Sequence, residues 1–150
     1  MFDNALEGVR VLDLTHHVAG PQCTKLLADY GADVIKVERP SGDPARSMGP
    51  FQNDVPHPEK SGLFLHLNTN KRSMTVNLKH ANGLGIVKEL ARESDIVIEN
   101  FRPGHMDALG LGYDVLEKIN PAVVLTSISN FGQTGPYRDM KSSDIVAYAM

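Results

Sequence analysis

The sequence predicts an α/β chain whose core is a doubly wound, Rossmann-like parallel sheet. Two observations point there. Short runs rich in β-branched residues and apolar on both faces recur along the 150 residues. Segments with apolar residues spaced by three and four alternate with them, the period of a helix. Strands that bury both faces need cover on both, and the helices between them supply it.

The first strand is read at Val9–Leu14, followed by the turn "THHVAG". A helix follows over Pro21–Tyr30: proline is tolerated in a first helical turn, and Gly31 stands where a helix ends. The second strand is Val34–Glu38. Pro40–Asn70 contains "ERPSGDPARSMGP" and "VPHPEKSG" with little periodicity, and a loop that long in a compact domain is usually a binding loop or disordered. Met74–Leu78 is the third strand, Ala81–Glu93 a helix, Asp95–Glu99 the fourth strand, Tyr113–Ile119 a helix and Val123–Ser129 the fifth strand. In "KSSDIVAYAM", Ser142 or Ser143 offers an N-cap and Asp144 a carboxylate that the helix dipole favours. That helix has made about two turns at Met150, short of the usual eleven or twelve residues, and the expectation is a chain that continues. No internal repeat is present.

Composition bounds the function. With 41% hydrophobic and 22% charged residues, one core can be buried. The net charge of -3 argues against a general nucleic-acid binder, so an anionic ligand must be met by local cations. The single cysteine, Cys23, forms no internal disulfide and is read as a small core residue. Residues 1–10 show no basic start or apolar stretch of a secretion signal, and no apolar run approaches a membrane span. The expectation is a cytoplasmic chain with no membrane or nucleic-acid partner.

Ligands of doubly wound sheets collect beyond the carboxyl ends of the strands, which here means Thr15–Gly20, Arg39–Gly42, Lys79–Asn82, Asn100–Gly104 and Asn130–Pro136. The glycine-rich dinucleotide fingerprint, the phosphate loop and the nucleophile elbow are all absent from the sequence. His16 and His17 are adjacent and point apart in a turn, with no third ligand identifiable, so a metal site is not expected. Arg39, Lys79 and Lys141 are cations near the ligand edge.

Four blocks occur in order: "LEGVRVLDLTHHVAGPQCTKLLADYGADVIKVERPSGD", "LNTNKRSMTVNLK", "DIVIENFRPGHMDALGLGYDVL" and "NPAVVLTSISNFGQTGPY". Together they resemble the N-terminal part of the class III CoA-transferases, the family of formyl-CoA transferase, carnitine CoA-transferase and α-methylacyl-CoA racemase. The resemblance implies that residues 1–150 form the coenzyme A-binding, Rossmann-like portion of a larger two-domain fold that assembles as an interlocked homodimer. It implies CoA or acyl-CoA contacts at His16, His17, Val18 and Ala19, at Arg39, and at Val76, Asn77, Leu78 and Lys79. Further contacts fall on Asn100, Phe101 and Arg102, and on Lys141, Ser142, Ser143 and Asp144. The chemistry agrees, because CoA phosphates suit charge-assisted bonds from Arg39 and Lys79, and the small Ala19-Gly20 pair leaves room for close ligand approach to the backbone.

The resemblance also implies the reaction: exchange of CoA between an acyl-CoA and a free carboxylic acid through an aspartyl mixed anhydride, without a metal. The nucleophilic aspartate lies in a Gly-Asp motif expected beyond Met150, so no catalytic residue is assigned here and these residues alone are expected to be inactive. Three positions depart from family patterns. Val18 replaces a glutamine of the formyl-CoA transferases, which disfavours formate, and Ala108 replaces their arginine. Ser143 replaces a histidine of the racemase branch, which disfavours racemase or epimerase activity. A CoA-binding module without catalysis is the alternative from another class.

Overall fold

The computed structural model describes residues 4–141 and 143–149. Five strands form one sheet: β1 (Arg10–Asp13), β2 (Asp33–Glu38), β3 (Arg72–Thr75), β4 (Ile96–Glu99) and β5 (Val124–Ser127). Their order is β3-β2-β1-β4-β5 and every pairing is parallel. The helices are α1 (Ala19–Asp29), α2 (Gly62–Leu67), α3 (Ala81–Arg92), α4 (His105–Ala108), α5 (Tyr113–Ile119) and α6 (Asp144–Ala149). The doubly wound α/β expectation holds, with the reversal of strand order between β1 and β4.

Alternation explains the two-sided burial. Leu12, Val37 and Val97 face one core with Val87, Ala91 and Leu116 from α3 and α5. Val11, Val34 and Ile98 face the other with Ala28 of α1. Successive strand side chains point to opposite faces, so a strand buried on both sides can carry apolar residues at adjacent positions, as Val11–Leu12 and Val97–Ile98 do. Leu12 sits opposite both Ile35 and Val97, which places β1 at the centre. Cys23 is half-buried against the Val11 core.

The same alternation carries polar groups inside. Asp13 follows Val11, and Lys36 and Glu38 follow Val34, onto the α1 face, where all three are buried. There Asp13 accepts from Thr24 Oγ1 at 2.6 Å and Lys71 Nζ at 3.1 Å. Lys36 Nζ lies 2.8 Å from Asp43 Oδ2. Glu38 receives both forks of the Arg46 guanidinium at 2.8 Å, and that guanidinium stacks 3.7 Å above the Phe64 ring.

Three sequence expectations shift. β3 begins at Arg72, two residues before the apolar run starts, because Arg72 bonds Asp33 with two nitrogens at 2.9 and 2.5 Å. It ends at Thr75 because Asn77 Oδ1 accepts from Lys79 N at 3.0 Å and turns the chain. Inside the segment read as a loop, Ser61 Oγ caps α2 by accepting from Phe64 N at 3.1 Å, and Phe64 and Leu67 are buried. α1 starts two residues earlier than Pro21. Gly31, with φ of +100°, follows its end as expected.

Candidate functional site

The turn between β1 and α1 is shaped by side chains from three strands and their loops. Asp13 Oδ1 accepts from Thr15 N at 2.9 Å, and Thr15 O accepts from Lys36 Nζ at 2.9 Å. His16 N donates to Asn100 Oδ1 at 3.0 Å, and Asn100 Nδ2 donates to His16 O at 2.7 Å. His17 N donates to Asp43 Oδ1 at 3.1 Å. These bonds hold His17 at φ of +67°, a left-handed conformation uncommon for residues other than glycine.

Gly20 completes the packing beneath the turn. A Cβ there would lie 2.3 Å from Thr15 Cβ and 2.5 Å from Thr15 Cγ2. The small residue therefore serves close approach of helix to strand, whereas the sequence suggested room for a ligand. Val18 stands at the α1 N-cap and brings no side-chain acceptor to it.

Beyond the strands lies an open cavity of about 600 Å³. Its walls are Leu14 to His16 after β1, Val37 to Asp43 at the end of β2, Val76 to Lys79 after β3, and Phe101, His105 and Leu109 after β4. This is the carboxyl edge beside the strand-order reversal, where open α/β sheets receive ligands. His16, Phe101 and His105 form a row of rings with centroids 5.6 and 5.0 Å apart. Leu14, Val37, Val76, Leu78 and Leu109 supply an apolar wall.

Charge in the cavity is unevenly committed. Asp43 and Glu38 line it, but each is tied to a cation. Burial opposes ionisation of Asp43, yet Lys36 and the N–H groups of Ala45 and His17 hold its carboxyl below the usual range. Glu38 is likewise held low, burial being outweighed by Arg46, Asp43 N and Ser73. Arg39 and Lys79 are exposed, and among the described residues neither takes part in an ion pair. Their charges are available to an anionic ligand. Burial, with help from His17, pushes the His16 imidazole below 6.5, so it faces the cavity neutral at neutral pH.

Of the residues singled out in the sequence, His16, Arg39, Val76, Asn77, Leu78, Lys79 and Phe101 come together around this cavity. His17 and Val18 lie in the adjoining turn and Ala19 opens α1, and all three are exposed. The Asn100 carboxamide is occupied by the His16 backbone. Arg102, Lys141 and Ser143 are exposed and outside the lining, and Asp144 opens α6. Ser142 lies outside the described residues. Sequence reasoning missed Asp43, Lys36 and His105. The "SGDPAR" stretch carried the only local hint, an aspartate able to cap Pro44–Ser47, which it does by accepting from Ala45 N at 2.9 Å. Among the described residues, no cluster of three or more potential ligands could hold a metal ion, and no helix is long and apolar enough to cross a membrane.

An open parallel sheet with an apolar-walled cavity at its switch point, and at the rim two exposed cations outside any ion pair among the described residues, is an α/β arrangement with room for a ligand beyond its strand ends. The chain belongs to CoA-transferase family III, whose sequence profile matches residues 6–150. Over 147 residues it is 49% identical to a succinyl-CoA:glutarate CoA-transferase of Mus musculus, covering 97% of this chain and 33% of that protein. Over 146 residues it is 49% identical to a formyl-CoA:oxalate CoA-transferase of Streptomyces avermitilis, covering 97% of this chain and 34% of that protein. A crystal structure of a CAIB/BAIF family protein from Brucella suis superposes with a TM-score of 0.87 at 39% identity, over 96% of this chain and 38% of that one. The chain thus spans about a third of the length of the curated relatives it matches.

Proposed function

We propose that these residues form the CoA-binding portion of an enzyme that moves CoA between an acyl-CoA thioester and a free carboxylic acid. The observation behind this reading is the cavity itself. Coenzyme A joins an anionic nucleotide to a long, weakly polar arm. Arg39 and Lys79 offer charge for the first, and the Leu14, Val76, Leu78 and Phe101 wall offers contact for the second. Membership of a CoA-transferase family supports the reaction class.

In the proposed chemistry an aspartate carboxylate attacks the thioester carbonyl, the C–S bond breaks, CoA leaves as its thiolate, and a mixed anhydride remains for the acceptor carboxylate. The nucleophile is placed beyond residue 150, and the residues described here bind and orient CoA. Asp144 is assigned no covalent role. A cytoplasmic interlocked homodimer completes the reading. Val18 argues against formate as the acyl group and Ser143 against racemisation. Relatives named for formyl-CoA and for succinyl-CoA are equally similar at 49%, so identity over this portion does not select the acyl group.

Calorimetric titration with CoA tests the proposal. Arg39→Ala should weaken binding by about 1–3 kcal/mol, the scale of one charge-assisted bond, and higher salt should weaken the wild type further. Equal affinity of wild type and variant would remove Arg39 from the site. No CoA binding by the wild type would remove the function.

A further inference from the structure

The resemblance to the CoA-transferases suggests Asn100 as a residue that touches the ligand, yet its carboxamide is already used. Its oxygen accepts from His16 N and its nitrogen donates to His16 O, at 3.0 and 2.7 Å. One orientation of the amide satisfies both, because reversing it would set acceptor against acceptor and donor against donor. The two residues are 84 positions apart in the chain, so this pair fastens the turn after β1 to the turn after β4 across the strand-order reversal. His16 and Phe101, which flank the fastening, are both cavity walls with ring centroids 5.6 Å apart.

We propose that Asn100 is a positioning residue: it acts on the ligand through the His16 peptide groups, holding the His16 imidazole and the adjoining turn in the arrangement that receives CoA. This rests on the CoA reading given above. The geometry explains why a carboxamide is required. The His16 backbone presents one donor and one acceptor side by side, and only a side chain with one acceptor and one donor in a plane matches both. A carboxylate keeps the shape but presents two acceptors, leaving one facing His16 O. Protonating that carboxylate restores a donor. No ligand contact by Asn100 is needed for this dependence.

The test is Asn100→Asp in the full chain, with CoA affinity measured by calorimetry at about pH 8 and about pH 5, on either side of the range in which a half-buried carboxyl titrates. The wild type is measured at both values. Its own change cancels the titration of His16, of His105 and of the CoA phosphates, and of Asp43, which bonds the neighbouring His17 N. At pH 8 the variant should bind at least about tenfold more weakly than the wild type, the scale of a lost hydrogen bond with an opposed acceptor. At pH 5 the ratio should shrink to about threefold or less. Asn100→Ala, which removes both arms without adding a charge, should lose affinity to the same extent at both pH values. Amide hydrogen exchange reads the fastening without ligand: at one fixed pH near 8, the His16 N–H should exchange faster in Asn100→Asp than in wild type. A loss of affinity in Asn100→Asp that is equal at the two pH values overturns the proposal, since general damage to the fold is not repaired by protonation. Unchanged affinity at pH 8 also overturns it. If the wild type binds no CoA, the functional reading fails, and unchanged exchange at His16 would separately overturn the fastening.

Discussion

Lys36→Met tests whether the buried charges at the ligand edge act as a pair. Lys36 is 1% exposed, its ammonium lies 2.8 Å from Asp43 Oδ2, and it donates to Thr15 O at 2.9 Å. Methionine fills the space of the aliphatic stem and removes the charge, leaving a buried carboxylate without its cation and a buried carbonyl without its donor. Breaking a buried pair from one side costs about 3–5 kcal/mol. The orphaned carbonyl is part of the same loss rather than an addition to it. Against a total stability of about 5–15 kcal/mol, this is a fifth or more, or about 6–20 °C in melting temperature at this chain length. The pH dependence identifies the cause. In the wild type the Asp43 carboxyl is held below its usual range, so its contribution is present above the unfolded pKa and fades as pH falls through the folded one. In Lys36→Met the ammonium is gone and burial remains, so the folded carboxyl should titrate above its unfolded value. The variant then gains relative stability as pH falls. Urea unfolding followed by circular dichroism, from about pH 8 to about pH 5, should show the deficit of the variant shrinking at the acid end. A deficit below about 1 kcal/mol near pH 7, or one that does not change with pH, would refute the reasoning.

Two other outcomes follow from the same edge. Gly20→Ala places a Cβ 2.3 Å from Thr15 Cβ, and Thr15 cannot retreat because its hydroxyl bonds Asp13 Oδ1 at 2.5 Å. Overpacking should cost about 1–3 kcal/mol, partly offset by the better helix propensity of alanine, and a higher melting temperature in calorimetry would contradict it. Lys71 is held by Asp13, Pro21 O and Asn68 Oδ1, and burial brings its ammonium down from 10.5 to about 8. Between those values the unfolded chain keeps a proton that the folded chain has lost, so this residue makes stability rise with pH there. Lys71→Met should remove that rise in urea midpoints measured from pH 8 to 10, and an unchanged slope would show that Lys71 is not the group responsible.

What the sequence alone determined was the layered plan. Val11 and Leu12, or Val97 and Ile98, are adjacent apolar residues that a strand sends to opposite faces, so both faces had to be covered, and the helical periods supplied cover: Pro21–Tyr30 on one face, Ala81–Glu93 and Tyr113–Ile119 on the other. The expected carboxyl-edge site follows from the same plan, which is why Arg39, Lys79 and Phe101 were legible as candidates. Pattern reasoning works there because burial acts on residues near one another in the chain.

Only the tertiary structure decided which polar groups meet. Asp13 and Glu38 look like ordinary polar residues at strand ends and Lys36 like one on a solvated strand face, and nothing local distinguishes them from solvated ones. Their partners Lys71, Asp43 and Arg46 arrive from the segments after β2 and before β3, where the sequence has little periodicity to read. Asn100 reaches His16 across 84 positions, a distance over which neither propensity nor spacing carries information. Gly20 was legible as a small residue in a turn, but that its missing side chain makes room for Thr15, and not for a ligand, depends on how closely α1 lies against β1. Helix and strand identity is set by local periodicity. The pairing of buried charges is set by which loops the folded sheet brings to one edge, because a charge loses its water only when that edge closes over it.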